Sequence, residues 1–383
     1  MSEQPEPTPV STPADPDPEP MAEFRTLARQ ATRRLAGGVP RLPREELASL
    51  ALEIERLEEP DVWDRYGAEG PVAVLEGEVA RLLGKPAAVM FPSGTMAQQS
   101  VLRVWSDRSG SHRVAIPGQS HLLWHELDGP ALLHGLRYER LSQERDLPTT
   151  ASLAAIPGPL AAVLLELPLR DAGYLLPSWD ELVDFSAACR ERGVALHLDG
   201  ARLWESQAYL GHDLSEIAGL ANTVYVSFYK GLGGLSGAAV VGEEDVIDEV
   251  RQWRHRHGGM LFSMLPYALS ALRGLREELP SMSARYHRAV ELAAAFVARG
   301  ISVFPDPPHT NAFRIAVPLS PDVVMARLKT FMAAEKTTLT PPWGDSEIPG
   351  WSWTEFTVGT STLEWEVDEV ADLVARVILA AND

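Results

Sequence analysis

Lys230 is a candidate nucleophile because of the residues on either side of it. It follows the apolar, strand-forming run 224–228, and Gly231, Gly233 and Gly234 come shortly after it. A lysine amine in a poorly hydrated pocket has a lowered pKa and can attack a carbonyl carbon to form a Schiff base. The same pattern also fits a solvated lysine before a glycine-rich turn. What Lys230 does therefore depends on the residues that the fold brings to it.

A second candidate site is the turn that follows the short apolar run 87–91. This run continues into Pro-Ser-Gly-Thr at 92–95, and a helix is predicted from about Met96. Free N–H groups and the positive end of the helix dipole favour an anion at such a turn, and the hydroxyl groups add donors. An ordinary helix cap uses the same residue types, so the turn alone leaves both interpretations open.

Buried strands alternate with helices through the middle of the chain. Strands are predicted at 113–116, 161–165, 194–198, 223–228 and 237–241. This alternation predicts an α/β fold with a mostly parallel sheet flanked by helices. In such sheets ligands bind beyond the carboxyl ends of the strands. Ser93, His121, Glu166, Asp199 and Lys230 each follow a predicted strand, so we expect them to share one site.

A lysine, a carboxylate and a phosphate-binding turn at one sheet edge indicate pyridoxal 5'-phosphate. The aldehyde of this cofactor condenses with a lysine such as Lys230, and the turn at 93–95 suits its phosphate. Asp199 would pair with the protonated pyridine nitrogen, which keeps the ring an electron sink. His121 would stack on the ring or transfer a proton. Each residue alone has a structural alternative: Asp199 as a turn cap, and His121 as a partly buried histidine.

Four segments are predicted from shifts in composition and pattern. Residues 1–22 are rich in proline and acidic residues, cannot offset their ordering entropy, and are expected to form a disordered tail. Residues 23–65 form an N-terminal helical segment, and residues 66–265 form a large domain that carries the site. Residues 266–383 comprise linking helices and a small C-terminal α+β domain.

Composition argues against several classes of partner. The net charge of −19 argues against binding to nucleic acid or to an anionic membrane. The single cysteine, Cys189, excludes an internal disulfide and a cysteine-rich metal site, and no metal is expected. No apolar run is long enough to span a bilayer, and the N-terminus lacks the order of a secretory signal. We therefore expect a cytoplasmic protein.

Four motifs resemble those of one enzyme family. They are His197-Leu198-Asp199-Gly200-Ala201-Arg202-Leu203, Lys230-Gly231-Leu232-Gly233, Phe91-Pro92-Ser93-Gly94-Thr95-Met96-Ala97 and Thr310-Asn311-Ala312-Phe313. They are similar to motifs of the threonine aldolase and aromatic amino acid β-eliminating lyase family, which consists of pyridoxal phosphate enzymes of fold type I. The likeness extends from about residue 66 to about residue 314 and is weaker beyond it.

The resemblance implies a role for each matching residue. Lys230 matches the Schiff-base lysine, Asp199 the partner of the pyridine nitrogen, and His121 the histidine stacked on the ring. The phosphate would be held by Ser93, Gly94 and Thr95.

Further matching positions lie around the predicted cofactor. Arg202 matches an arginine near the cofactor and the substrate carboxylate, and Glu126 matches an active-site carboxylate. Arg254 matches an arginine that reaches the phosphate from a neighbouring subunit, and Tyr66-Gly67 matches an interface motif. A homo-oligomer, dimeric or tetrameric, is implied.

The family reaction cleaves a β-hydroxy-α-amino acid at its Cα–Cβ bond and releases glycine and an aldehyde. The resemblance therefore implies a pyridoxal phosphate-dependent carbon–carbon lyase that acts on an amino acid. Two alternatives stay open: β-elimination or other Cα chemistry on a different amino acid, and a degenerate homologue that binds the cofactor without catalysis.

The chain departs from the family where the substrate carboxylate is expected to bind. The usual Ser-Asp-Thr-Val-Thr-like segment is missing, and Glu355 stands about where an arginine belongs. A carboxylate at this position is expected to repel the substrate carboxylate. Arg170 is a candidate to take over its binding. Trp351 and Trp353 are equally compatible with a lining for a bulky substrate and with the core of the small domain.

Overall fold

The structure is a computed structural model that describes residues 18–38 and 41–380. Residues 1–17 of the predicted disordered tail lie outside the described residues. The last residues assigned to that tail differ from the expectation, because a helix begins at Pro18. Among the described residues, no helix has the length and apolar character needed to cross a membrane.

Helices and strands alternate as the sequence predicts. The helices are α1 (Pro18–Gln30), α2 (Pro43–Ile54), α3 (Gly70–Leu82), α4 (Gly94–Ser109), α5 (His121–Trp124), α6 (Gly129–His134), α7 (Thr150–Ala155), α8 (Trp179–Glu191), α9 (Leu203–Leu210), α10 (Leu214–Gly219), α11 (Glu244–Arg256), α12 (Leu265–Glu277), α13 (Met282–Ala298), α14 (Pro321–Glu335) and α15 (Val367–Ile378). The strands are β1 (Arg33–Arg34), β2 (Ala87–Phe91), β3 (Arg113–Ile116), β4 (Arg137–Arg140), β5 (Ala162–Glu166), β6 (Ala195–Gly200), β7 (Thr223–Ser227), β8 (Ala238–Gly242), β9 (Ser302–Phe304), β10 (Ala312–Val317), β11 (Thr337–Thr338), β12 (Gly344–Asp345) and β13 (Ser352–Thr357).

The large sheet has the strand order β2-β8-β7-β6-β5-β3-β4. Strand β8 runs in the opposite direction to the other six strands of this sheet, which confirms the mostly parallel sheet. Alternate residues of β5 face different cores: Val163 lies in a core with α3, α8 and α12, and Leu164 lies in a core with α4 and α11. The apolar run of β5 thus reflects burial on both faces, as parallel strands require. The edge strand β4 was not predicted, because Arg-Tyr-Glu-Arg has no apolar run.

The small C-terminal domain contains the antiparallel sheet β12-β13-β10-β9. Its core is built around the contacting rings of Phe296, Phe313 and Phe356. Phe24 of α1 and Leu35 are buried in the same core, and β1 pairs with β11. Helix α2 packs instead against α12. The predicted N-terminal helical segment is therefore divided between the two domains, because its two helices bury their apolar sides in different places.

The chain turns sharply after helix α5. This helix ends at Trp124, so His125 and Glu126 lie beyond it. Leu127 and Asp128 follow with positive φ angles of 48° and 56°, which a helix does not allow. The chain turns here and carries Glu126 back toward His121.

Candidate active site

Most of the predicted site residues line one cavity at the carboxyl ends of the sheet strands. The cavity has a volume of about 110 Å³. Its lining includes the predicted residues Gly94, Thr95, His121, Glu126, Glu166, Arg170, Asp199, Arg202 and Lys230. Ser93 and Arg254 are absent from the described residues that line it. A neighbouring cavity of about 690 Å³ shares Arg202, Tyr229 and Lys230 with it, so the two spaces meet at the candidate nucleophile.

Lys230 is held in a turn that leaves its amine poorly hydrated. Burial lowers the pKa of Lys230, and the nearby carboxylate of Asp199 opposes part of this effect. The turn is closed by the hydrogen bond from the Gly234 amide to the Phe228 carbonyl oxygen. A Cβ at Gly231 would lie 2.1 Å from Glu205 Oε1, so only glycine allows this approach of the turn to helix α9. The lowered pKa makes a neutral, nucleophilic amine more accessible.

Asp199 lies next to a second buried carboxylate, Glu166. The two residues are register partners on β6 and β5. Burial raises the pKa of Asp199, and burial together with Asp199 raises the pKa of Glu166 to about 8. Glu166 accepts hydrogen bonds from the backbone amides of His121 (2.9 Å) and Arg170 (3.2 Å). This pair of carboxylates favours a further cationic group next to Asp199.

The predicted phosphate turn forms the beginning of α4. Ser93 caps the helix, because its Oγ accepts a hydrogen bond from the Met96 amide at 3.3 Å. The ordinary cap interpretation therefore holds for the Ser93 side chain. A Cβ at Gly94 would lie 2.1 Å from Tyr225 Oη, so the helix starts in close contact with β7. Thr95 Oγ1 donates to Glu126 Oε1 at 3.1 Å. Gly94 and Thr95 line the cavity, and they belong to the first helical turn, where backbone N–H groups have no carbonyl partner within the helix.

His121 and Glu126 form a pair at the cavity. His121 Nδ1 lies 3.2 Å from Glu126 Oε1, and the hydrogen bond to Glu126 is the main reason why the pKa of His121 is raised. The His125 ring centroid is 4.8 Å from that of His121, and His125 Nε2 lies 2.7 Å from Asp171 Oδ2. Neither His125 nor Asp171 was assigned a role from the sequence, because nothing in their spacing places them together.

Glu355 does not stand as a free carboxylate at the expected arginine position. Its Oε2 lies 2.8 Å from Arg170 Nη2 and 2.7 Å from the Tyr174 hydroxyl oxygen. The expected repulsion of a substrate carboxylate is therefore reduced by an ion pair that the sequence did not reveal. Trp351 and Trp353 are absent from the described residues that line the two cavities. Trp353 instead packs under Arg314, whose guanidinium carbon is 4.4 Å from the ring centroid.

Arg254 is buried outside the cavity of its own chain. Its Nη1 donates to the Met90 carbonyl oxygen at 2.7 Å and lies 3.8 Å from Glu76 Oε1. A Cβ at Gly67 would lie 2.9 Å from its guanidinium, so the predicted interface motif Tyr66-Gly67 covers this side chain. Contact between Arg254 and the phosphate of a neighbouring subunit stays a prediction.

Comparison with known proteins assigns the family. The model of the Beta-eliminating lyase family matches residues 59–318, which is more than half of the chain. The chain belongs to this family. A solved structure from Listeria monocytogenes, provisionally described as an L-allo-threonine aldolase, is 33% identical with a TM-score of 0.86 and covers 94% of this chain and 99% of its own. A structure from Exiguobacterium, provisionally described as an aromatic amino acid β-eliminating lyase/threonine aldolase, is 34% identical with a TM-score of 0.85 and covers 93% and 99%.

Curated relatives match shorter stretches. The aldolase vrtJ of Penicillium aethiopicum is 35% identical over 194 residues, 48% of this chain and 49% of the relative. The low-specificity L-threonine aldolase 1 of Arabidopsis thaliana is 29% identical over 240 residues, 60% of this chain and 67% of the relative. The match thus spans about half to two thirds of these relatives. Family and fold confirm the expected resemblance, the fold of pyridoxal phosphate enzymes and the lyase class.

The residues present fit pyridoxal phosphate. Three of the residues that line the cavity carry a buried polar atom without a hydrogen-bond partner among the described residues: Gln98 Nε2, Glu126 Oε2 and Arg170 Nε. The carboxylates of Asp199 and Glu166 favour a cation such as a protonated ring nitrogen. Lys230 supplies the amine for the aldehyde, and the first turn of α4 supplies N–H donors for the phosphate.

Proposed function

We propose that this chain cleaves a β-hydroxy-α-amino acid to glycine and an aldehyde, as a pyridoxal phosphate-dependent lyase similar to threonine aldolases. The observation that carries the proposal is the convergence of Lys230, Asp199 and Arg202 on one cavity at the strand ends. Bound pyridoxal phosphate supplies an electron sink for the electron pair left when the Cα–Cβ bond breaks.

The cofactor-binding roles follow from the charges around the cavity. Lys230 carries the nucleophilic amine, because burial lowers its pKa. Asp199 would hold a proton at the ring nitrogen by charge pairing, and Gly94 and Thr95, at the beginning of α4, would offer backbone donors to the phosphate. The phosphate contact of Arg254 requires a second subunit and belongs to this proposal.

His121 is the proposed group that accepts the β-hydroxyl proton. Cleavage of the Cα–Cβ bond requires loss of this proton from the substrate oxygen. Glu126 raises the pKa of His121 and engages its Nδ1, which leaves Nε2 as the atom available to the substrate. Glu126 also stabilises the charge that His121 gains with the proton. The two residues act as one unit.

Arg202 and Arg170 are the proposed partners of the substrate carboxylate. Both line the cavity that contains Lys230, and the guanidinium group of each can pair with a carboxylate. A carboxylate held at one side of the cavity fixes the rotation about the bond between the nitrogen and Cα. The two arginines would thereby set the orientation of the substrate Cα and decide which of its bonds the bound cofactor would weaken.

A second function has one observation in its favour. The adjoining cavity of about 690 Å³ leaves room for a substrate larger than threonine. β-Elimination or other Cα chemistry on a bulky amino acid is the alternative proposal. A degenerate homologue is disfavoured, because Lys230, Asp199 and Arg202 are all present at the cavity.

The first prediction concerns Lys230. We expect Lys230→Ala to abolish the visible absorbance of the lysine-bound cofactor and to lower activity at least about a thousandfold, because the covalent link is lost. Lys85→Ala is the matched control, since burial also lowers the pKa of Lys85 but its amine binds the Ala221 carbonyl oxygen away from the cavity. A variant at position 230 that retains the band would refute the site.

Product analysis separates the two proposed reactions. Glycine and an aldehyde formed from threonine or phenylserine support aldol cleavage. Pyruvate and ammonia from another amino acid, without glycine from either substrate, support elimination instead.

Oligomerisation to a dimer or tetramer is part of the proposal, and the cytoplasmic location stays a prediction.

A further inference from the structure

The loop between β5 and α8 has an unusual backbone that brings three polar side chains to the two adjoining cavities. Leu169 and Leu175 form an antiparallel bridge, and the amides of Gly173 and Tyr174 both donate to the Arg170 carbonyl oxygen. Tyr174 has a φ of 64°, a conformation that costs a non-glycine residue about 1 kcal/mol or more. The loop presents Arg170 and Asp171 to the small cavity and Tyr174 to the larger one.

Tyr174 connects the two arginines at the cavity. Burial raises the pKa of Tyr174 to about 12, so its hydroxyl keeps its proton and donates to Glu355. Glu355 accepts from Arg170 at 2.8 Å through the same oxygen atom. The guanidinium carbon of Arg202 lies 5.4 Å from the centroid of the Tyr174 ring. One tyrosine thus orients both cations, one through a carboxylate and the other through its aromatic face.

Arg170 retains hydrogen-bonding capacity after its protein contacts are counted. Nη2 binds Glu355, and Nη1 lies 3.1 Å from Asp171 Oδ1. Nε is buried and has no hydrogen-bond partner among the described residues. The side chain as a whole is 33% exposed and lines the cavity. A guanidinium that keeps part of its surface at the cavity can pair with a carboxylate there.

We propose that Glu355 and Tyr174 are positioning residues, which hold Arg170 and Arg202 in the geometry that binds the substrate α-carboxylate. The carboxylate of Glu355 on β13 holds Arg170 of the β5–α8 loop by an ion pair. The positive charge at the cavity therefore comes from this loop and not from β13, where the family has its arginine. This inference rests on the proposed function, since it assumes that an amino acid enters the cavity.

The test measures binding of two small amines to the cofactor-loaded enzyme. Glycine carries a carboxylate and glycinamide carries a neutral amide of similar size. Binding of either is followed by the change in visible absorbance of the cofactor. We expect wild type to prefer glycine, and Arg170→Gln to weaken glycine binding about 30-fold or more while glycinamide changes less than about threefold.

Variants of the positioning residues separate orientation from charge. Glu355→Gln and Tyr174→Phe retain Arg170 but loosen it, so each is expected to weaken glycine binding about threefold to tenfold. The charge-exchanged double variant Arg170→Glu/Glu355→Arg is expected to bind glycine at least tenfold more tightly than Arg170→Glu alone. A readout of the cofactor band in each variant shows that the site has folded.

The control is a second ion pair that also links the large and small domains. Arg145 Nη2 lies 2.8 Å from Glu347 Oε1, and both side chains are more exposed than those of Arg170 and Glu355. Arg145→Gln is expected to leave the preference for glycine unchanged.

The outcomes distinguish the proposed carboxylate clamp, which consists of Arg170 and Arg202 with their positioning residues Glu355 and Tyr174, from the proposed function. Equal preference for glycine in wild type and Arg170→Gln overturns the clamp but leaves the lyase proposal standing. A double variant no better than Arg170→Glu, with its cofactor band intact, also overturns the clamp. A cofactor-loaded wild type whose spectrum responds to neither amine overturns the proposed function, and the clamp with it.

Discussion

At the residue scale, the buried carboxyl groups of Glu166 and Asp199 make this site favourable for a positively charged cofactor atom. Their carboxyl groups lie on adjacent strands, and both side chains are almost completely buried. Two such groups ionise together only where cations compensate them. Lys230 and His121 provide part of this compensation for Asp199. A protonated ring nitrogen would complete it, which links cofactor binding to the ionisation of the pair.

Glu166 leads to a prediction for the cofactor-free protein. Its folded-state pKa of about 8 exceeds the ordinary value of 4.5, and burial is the largest cause. Its contribution to stability is therefore fully present below pH 4.5 and is lost as the pH rises toward 8. We expect the melting temperature of Glu166→Gln to rise relative to wild type between pH 5 and pH 9, by on the order of 5 °C.

The raised pKa of Glu166 is tested by how the difference in melting temperature between Glu166→Gln and wild type changes with pH. Glutamine also disturbs the hydrogen bonds from the His121 and Arg170 amides, but that cost does not change with pH. Glu58→Gln, at an exposed glutamate, serves as the control. A difference in melting temperature that stays constant from pH 5 to pH 9 would contradict a raised pKa at Glu166.

At the element scale, the beginning of α4 is placed by its contact with β7. Gly94 is the first residue of the helix, and Tyr225 lies in the centre of the strand. The space between them leaves no room for a methyl group, since a Cβ would lie 2.1 Å from Tyr225 Oη. The glycine thus sets the distance between the helix N-terminus and the sheet edge.

Gly94→Ala tests this placement. Either α4 or Tyr225 must move to accept the methyl group, and such overpacking costs about 1–3 kcal/mol. We expect affinity for pyridoxal phosphate to fall roughly tenfold or more, measured by titration of the apoprotein. Gly94→Ala/Tyr225→Phe should recover part of the loss, because the nearest remaining ring atom lies 2.9 Å away.

Gly77→Ala is the matched control for the helix glycine. Gly77 lies within α3, and a Cβ there would meet no atom within 4 Å. Alanine is favoured over glycine inside a helix by about 1 kcal/mol, so stability should stay level or increase. Normal cofactor affinity in Gly94→Ala would mean that this contact does not place the phosphate turn.

At the scale of the whole molecule, exposed aromatic side chains lie next to Gly67, the residue that covers Arg254. Tyr66 and Phe262 stack edge to face with ring centroids 5.5 Å apart, and more than half of each side chain is exposed. Trp63 is exposed nearby in sequence. Clustered apolar exposure is typical of a protein–protein contact. This agrees with the proposed homo-oligomer and with the interface motif implied at Tyr66-Gly67.

Phe262→Ser is predicted to weaken the oligomer. Loss of an exposed aromatic side chain from an interface costs about 2 kcal/mol or more, roughly a thirtyfold change in the dissociation constant. Sedimentation velocity over a concentration series measures this shift. Ile348→Ser, at an exposed apolar residue of the small domain, is the control and should sediment as wild type. A wild-type protein that sediments as a monomer would rule out the oligomer.

Much of the large domain could be predicted because its strands are continuous apolar runs. Runs such as 162–166 and 223–227 are buried on both faces, so their composition alone distinguishes them from loops. The short, charged strand β4 and the two-residue strands β1 and β11 carry no such signal. The division of the N-terminal segment between two cores was also hidden, since an apolar stripe does not identify the surface that buries it.

The sequence by itself determined that Lys230 and the turn at 93–95 follow strands and that Asp199 lies at the carboxyl end of one, because strand ends are marked by the change from apolar to polar residues. Since parallel strands bring their carboxyl ends to one edge, these residues had to meet. Only the tertiary structure decided whether Glu355 is a free carboxylate or is paired with other side chains. Arg170, Tyr174 and Glu355 come from separate segments, and their contacts depend on how the β5–α8 loop folds against β13. No local pattern records such a contact, so a carboxylate expected to repel the substrate instead holds the proposed anchor.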